Sequence, residues 1–178
     1  MKIFGLLYLL LFSCSAFAQE SVKPRPSPLA LVTARYKDTY MKLTYSQPSK
    51  RGREVFGKLV PFDQVWRTGA NDATEVTVTR DIKVNGFDLK AGTYSIFTIP
   101  RKDTWTIIIN GDLGQWGSYN YNEKTDVLRF DVPTISLADV VYESFTLWFD
   151  QKNDKADLHM AWDKTKVVIP IQFQEPKL

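Results

Sequence analysis

Cysteine, histidine and uninterrupted apolar sequence are all scarce in this chain, and each scarcity removes a class of function. Of 178 residues, one is a cysteine, Cys14, and one is a histidine, His159. Cys14 falls inside an N-terminal stretch that reads as a secretory signal peptide, residues 1–18. Lys2 precedes the apolar run IFGLLYLLLF (Ile3 to Phe12), and SCSAFA follows with an A-x-A site at Ala16 and Ala18. Cleavage before Gln19 leaves a mature chain without cysteine, which excludes disulfides, thiolate nucleophiles and cysteine metal sites together. LFSC at 11–14 also loosely resembles a lipobox, which would make Cys14 a lipidated first residue. Bulky Phe12 and the adjoining A-x-A site favour ordinary cleavage. The apolar run falls well short of the roughly twenty residues a spanning helix needs, so no membrane span is expected after processing. The expected location is the periplasm, the cell envelope or the extracellular space.

A lone histidine makes a zinc site of the usual several ligands unworkable. It would also have to sit beside an activated serine to serve a Ser-His-Asp triad, and the chain has no G-x-S-x-G element. His159 is therefore read as structural. No phosphate-binding P-loop or dinucleotide fingerprint is present, and no cofactor is expected. Calcium is a weak option through Asn110, Asp112, Asn122, Glu123 and Asp126, whose spacing fits no standard loop. Losing Lys2 with the signal lowers the formal charge from +3 to +2. The charges are interspersed, and the longest basic block is KRGR at 50–53. Nucleic-acid binders carry a clustered basic surface, so that partner class is excluded.

Aromatics are plentiful, at 13 % of residues, and favour a β-rich core. Residues 19–28, QESVKPRPSP, form a proline-rich extended leader, because three prolines in five positions bar a helix. Strand patterns fill most of 29–178. LALVTARY and TYMKLTYS flank a turn at Lys37 and Asp38, and TEVTVTR (74–80) alternates cleanly. Asn85-Gly86 is the strongest short hairpin signal. Further strands are expected within 87–110, 126–132, 143–150, 156–162 and 166–173. Nine or ten short strands at regular spacing, with no internal repeat, predict an all-β, single antiparallel β-sandwich. REVFGKLV (53–60) is the one stretch that could form a helical turn.

Two segments break the alternation and are long for connections: 48–72, containing LVPFDQVWRTGAND, and 110–126, NGDLGQWGSYNYNEKTD. Long ordered loops in compact domains commonly carry function. In the first, Arg51, Arg53 and Arg67 supply permanently charged planar donors, with Asn71 and Asp72 beside them. In the second, Trp116, Tyr119 and Tyr121 lie among glycines and asparagines and could stack on a sugar ring. These eight residues are the expected ligand-binding set. The alternative for the first segment is bracing, with Arg67 paired to Asp72 and Trp66 anchored in the core.

The elements YSQPSKRGREVFGKLVPFDQVWRTGANDAT, IKVNGFDLKAGTYSIFTIP, DTWTIIINGDLGQWGSYNYNEKTDVLR and AWDKTKVVIPI together resemble the domain-of-unknown-function 2911 family over about residues 27–172. VWRTGAN is the most specific element and WGSY (116–119) the second. The resemblance implies a β-sandwich from exported bacterial proteins and implies no activity, so no catalytic residue is carried over. Three functions remain in play. The first is a non-enzymatic exported domain binding a glycan, an anionic small ligand or envelope polymer, or a peptide terminus. The second is a glycoside hydrolase using Glu75 with Asp72 or Asp126, whose carboxyl groups would stand roughly 5–9.5 Å apart across a pocket. The third is a structural protein-interaction module. Oligomeric state is not readable from the sequence.

Overall fold

The structure is a computed structural model and describes residues 23–174. The expected signal peptide, residues 1–18, and the first residues of the expected leader lie outside the described residues. The described residues form two antiparallel sheets with no α-helix and a single 3-10 turn at Glu123–Thr125. Twelve strands are present among them, against the nine or ten expected. The difference is the two-residue β9 and the separate short strands of the Asn85-Gly86 hairpin.

The first sheet contains β1 (Leu29–Tyr36), β2 (Thr39–Ser46), β3 (Ala70–Val78), β6 (Gly92–Pro100), β7 (Thr104–Asn110) and β8 (Asp126–Pro133), in the order β1-β2-β3-β6-β7-β8. The second contains β10 (Tyr142–Lys152), β11 (Lys155–Asp163), β12 (Thr165–Phe173), β4 (Ile82–Val84) and β5 (Phe87–Leu89), in the order β10-β11-β12-β4-β5. β9 (Ile135–Ser136) pairs with β12. The β4–β5 hairpin leaves the first sheet between β3 and β6 and adds to the edge of the second. Asn85 and Gly86 take φ values of +49° and +85°, both positive as a type I′ turn requires. Val84 therefore pairs with Phe87, and Ile82, Val84 and Leu89 are buried.

Strict alternation builds the shared core. Val76 and Val78 of β3, Phe145 and Leu147 of β10, and Leu158, Met160 and Trp162 of β11 all point between the sheets and are buried. REVFGKLV forms turns rather than a helix, with a bridge between Phe56 and Val60. Gly57 and the polar residues around Val55 leave too few apolar contacts to sustain one.

The central strands β6 and β7 are different, being apolar on both faces. Ile96, Trp105, Ile107 and Ile109 enter the intersheet core. Phe97, Ile99 and Ile108 point the opposite way and are buried with Ala73 in a second cluster. An exposed sheet face of this size would cost roughly 2 kcal/mol per large side chain left in water. The two pattern-breaking segments supply the cover, through Val65 and Tyr121. The outer face of the first sheet is thus why both segments lie on it, and why they meet.

Candidate functional site

The first segment reaches its place by imitating a strand. Beyond the paired stretch of β3, Trp66 takes the slot beside Thr98 of β6, with both backbone hydrogen bonds formed at 2.7 and 2.9 Å. Its indole enters the core, stacked near Trp162 at 5.9 Å and edge-on to Phe56, Trp105 and Phe145. The indole Nε1 donates to the Gly69 carbonyl at 3.0 Å, so the same side chain anchors the loop and closes it. Phe62 contributes little to this anchoring; it is 37 % exposed and lies over Gly57.

From Trp66 into the first residues of β3 the backbone is tight and strained. Thr68 and Asn71 have φ of +55° and +56°, and a β-branched residue in that region costs about 1–3 kcal/mol. Thr68 is held there by burial and by hydrogen bonds. Its hydroxyl reaches Thr98 Oγ1 at 3.2 Å, and its carbonyl accepts from the Thr74 hydroxyl at 2.6 Å. Gly69 passes so close to β2 that a Cβ would stand 2.9 Å from the Ser46 carbonyl oxygen, which explains glycine at that position.

The second segment docks on the first. The Ala73 N–H donates to the Gln115 carbonyl, the Gly117 N–H to the Asn71 carbonyl, and Asp72 bridges Trp116. The Ser118 hydroxyl donates to the Val65 carbonyl at 3.0 Å. Gly117, at φ +71°, lets the Tyr119 ring lie against its backbone; a Cβ there would be 2.7 Å from the ring.

Together the segments border an open cavity of about 430 Å³. Its inner walls are apolar, from Leu59, Val60, Pro61 and Val65, with the buried Trp66 and Trp162 beneath. Its polar groups come from Ser27, Gln64, Asn71, Ser118 and two arginines, Arg53 and Arg67, with the exposed Tyr119 alongside. No carboxylate lines it.

The two arginines differ sharply. Arg53 is committed: its Nε donates to the Lys50 carbonyl at 2.8 Å and its Nη2 to the Ser49 carbonyl at 2.7 Å. Arg67 is half-buried, and none of the described residues accepts a hydrogen bond from it or pairs with its charge. Its Nε is fully buried without a partner. Burial pulls the guanidinium pKa below its ordinary value, an effect that nearby Tyr119 partly opposes. Arginine keeps its proton in proteins regardless, so the cavity holds a cation with no counter-charge among the described residues. The expected Arg67–Asp72 brace is absent. Asp72 faces Arg25 instead, at 3.8 Å and largely in solvent.

Of the eight expected ligand residues, the structure brings Arg53, Arg67, Asn71 and Tyr119 to the cavity and leaves Arg51, Asp72, Trp116 and Tyr121 outside it. Three of the eight hold the chain's own leader. Asp72 pairs with Arg25, the Arg51 guanidinium donates to the Pro26 carbonyl at 3.0 Å, and the Asn71 amide reaches the Ser27 carbonyl at 3.4 Å. Trp116 is 58 % exposed on the far side of its bridge with Asp72. Tyr121 is structural: its ring packs edge-on against Phe97 and its hydroxyl donates to Asp126 at 2.7 Å. Burial and the Asp126 carboxylate push its pKa up to about 12. Gln64, Ser118 and Trp162 were missed, although Ser118 sits inside WGSY and Trp162 inside the AWDKT piece.

The oxygens considered for calcium are engaged otherwise. Buried Asn110 donates to the Asn122 carbonyl, Thr125 and Asp126, and among the described residues no group of three acidic or histidine side chains is placed to hold a metal ion. A second cavity, of about 270 Å³, is lined by both Asp72 and Glu75. Glu75 accepts from the Gly114 N–H at 2.9 Å and Asp72 faces Arg25, so both carboxylates already have donors. His159 lies on the outer face of the second sheet, stacked on Trp148 at 4.6 Å, which in turn stacks on Tyr142.

The chain belongs to the family described as Protein of unknown function (DUF2911), whose pattern it matches over residues 27–171. No curated protein and no solved structure matches it. The DUF2911 match takes in both pattern-breaking segments and every residue that lines the cavity, from Ser27 to Trp162, so the cavity lies wholly within the family region.

Proposed function

We propose that the chain is an exported, non-enzymatic domain that binds an anionic ligand in the Arg67 cavity. The observation that carries this reading is the Arg67 guanidinium, without a partner among the described residues and half-buried in a cavity of about 430 Å³ that none of their carboxylates lines. Leaving a cation partly desolvated and unpaired costs stability, and a ligand anion would supply the missing partner. The volume lies in the range of about 300–1,000 Å³ usual for small-ligand pockets. The strained turn at Thr68, directly beside Arg67, has the character of backbone held at a functional site. Export rests on the signal-like residues 1–18.

The glycoside-hydrolase reading has one observation in its favour, the shared Asp72–Glu75 cavity. It is the weaker reading because Asp72 sits against Arg25 in solvent, rather than in the apolar setting that keeps a general acid protonated. A thermal-shift screen of the purified chain against glycans, anionic metabolites and peptides tests the proposal. An anionic hit that disappears in Arg67→Gln supports it. A hit that survives this substitution moves the site elsewhere, and hydrolysis of a glycan that stops in Glu75→Gln would replace the reading with the enzymatic one.

A further inference from the structure

Resting on the Arg67 reading, the cavity's chemistry also narrows the ligand. We infer that it takes the free carboxylate of a peptide chain ending in an aliphatic residue. Three features of the lining carry this.

The first is charge. Arg67 is the one guanidinium of the cavity with all its donors unspent, since Arg53 has Nε and Nη2 committed to backbone carbonyls. The desolvation cost of an ion rises with the square of its charge, while its attraction to one cation rises only linearly. A half-buried site with one free cation therefore favours a monoanion over a phosphomonoester dianion. The planar guanidinium also matches the two oxygens of a carboxylate.

The second is the shape of the apolar surface. A sugar ring packs on the open face of an aromatic ring. Trp66 and Trp162 are stacked on each other and boxed by Phe56 and Phe145, so their faces are covered by protein. Trp116, the most exposed indole nominated for stacking, is outside the cavity. Of the rings at the cavity only Tyr119 is open to solvent, at its edge; the apolar lining beside Arg67 is aliphatic, from Leu59, Val60, Pro61 and Val65, and fits a branched aliphatic side chain.

The third is the polar edge. Gln64 offers a complete carboxamide, Asn71 keeps its carbonyl oxygen, and Ser118 can still accept. A carboxamide both donates and accepts, which matches a peptide group. Carboxylate, aliphatic side chain and preceding amide thus each have a counterpart in the cavity lining.

The test uses the tryptophans that floor the cavity as reporters. Intrinsic fluorescence of the purified chain is titrated with N-acetyl-alanyl-alanyl-leucine, with its C-terminal amide, with glucuronate and with inorganic phosphate. The acid is expected to give a saturable change. The amide, glucuronate and phosphate should each bind at least tenfold more weakly, and Arg67→Gln should weaken the acid at least tenfold. Equal binding of acid and amide overturns the inference, as does saturation by glucuronate or phosphate without the peptide acid. In the latter case the anion reading of Arg67 stands and only the ligand class falls. If none of the four probes binds and no anion shifts the melting temperature, both fall. The acid–amide comparison needs no variant, so it decides the matter even if Arg67→Gln folds poorly.

Discussion

Replacing Arg67 by methionine should make this protein more stable, and the same replacement at Arg53 should make it less so. Both arginines line one cavity, and methionine keeps most of either stem. At Arg67 the substitution removes a guanidinium whose Nε is buried without an acceptor. An orphaned buried donor costs about 1–3 kcal/mol, and the new side chain packs beside Val65 and Trp66. Discounting for the half of Arg67 that water reaches, a gain of about 1 kcal/mol is expected. For a chain of this length that raises the melting temperature by about 2–4 °C. At Arg53 the substitution removes two donors, at 2.8 and 2.7 Å, from the carbonyls of Lys50 and Ser49. Exposed neutral acceptors can turn to water, so the loss is about 1 kcal/mol and the melting temperature falls by a similar few degrees. Thermal melts followed by circular dichroism, with both variants and the parent in one low-salt buffer at neutral pH, read the difference directly. A fall of several degrees for Arg67→Met would refute the reasoning. It would mean that Arg67 braces the loop, and the case for a ligand would lose its main support.

Gly69→Ala places a Cβ 2.9 Å from the Ser46 carbonyl oxygen, and since both groups are backbone-bound neither can yield cheaply. A loss of about 2 kcal/mol is expected by urea denaturation. Tyr121→Phe deletes the hydroxyl that donates to Asp126 and accepts from Arg129. Asp126 keeps Asn110 and Arg129 as donors, so the cost should be only about 1 kcal/mol, and the phenol that resists ionisation until about pH 12 should vanish from the ultraviolet titration. His159 has its pKa lowered, by burial and then by Lys166, with Asp157 and Asp150 opposing. Its neutral form is favoured in the fold, so stability is fully present above about pH 6.5, the unfolded value, and falls as pH drops toward the folded value. The parent should lose more melting temperature between pH 7 and pH 5 than His159→Gln does. Equal losses would mean that His159 does not contribute.

The strands were legible because their side chains alternate. LALVTARY coincides with β1, and TYMKLTYS with β2, to the residue. Misplacements fell where tertiary contacts extend pairing past the pattern. β3 begins at Ala70, four residues before its alternation is visible, because Ser46 of β2 pairs with Ala70 across a register shift. The Ala-Asn-Asp of the loop motif is therefore strand, not loop. β9 was invisible because two residues carry no period, and only β12 makes them a strand.

For the candidate site the division is sharper. Sequence alone determined the fold class, the single cysteine at Cys14, and the two segments where the strand pattern fails. It could not assign partners to charges, because ion pairing depends on distances between positions remote in the chain. Asp72 lies five residues from Arg67, yet its partner is Arg25 in the leader. Trp162, at the far end of the second sheet's β11, floors the cavity whose cation comes from the loop before β3. Aromatic residues of one loop likewise look alike on paper. Packing over the doubly apolar β6 and β7 buried Tyr121 against Phe97, left Trp116 facing water and put Tyr119 at the cavity. Residue types set which groups could bind an anion; the folding of one loop over the apolar outer face of a sheet decided that Arg67 lines a cavity with no partner among the described residues.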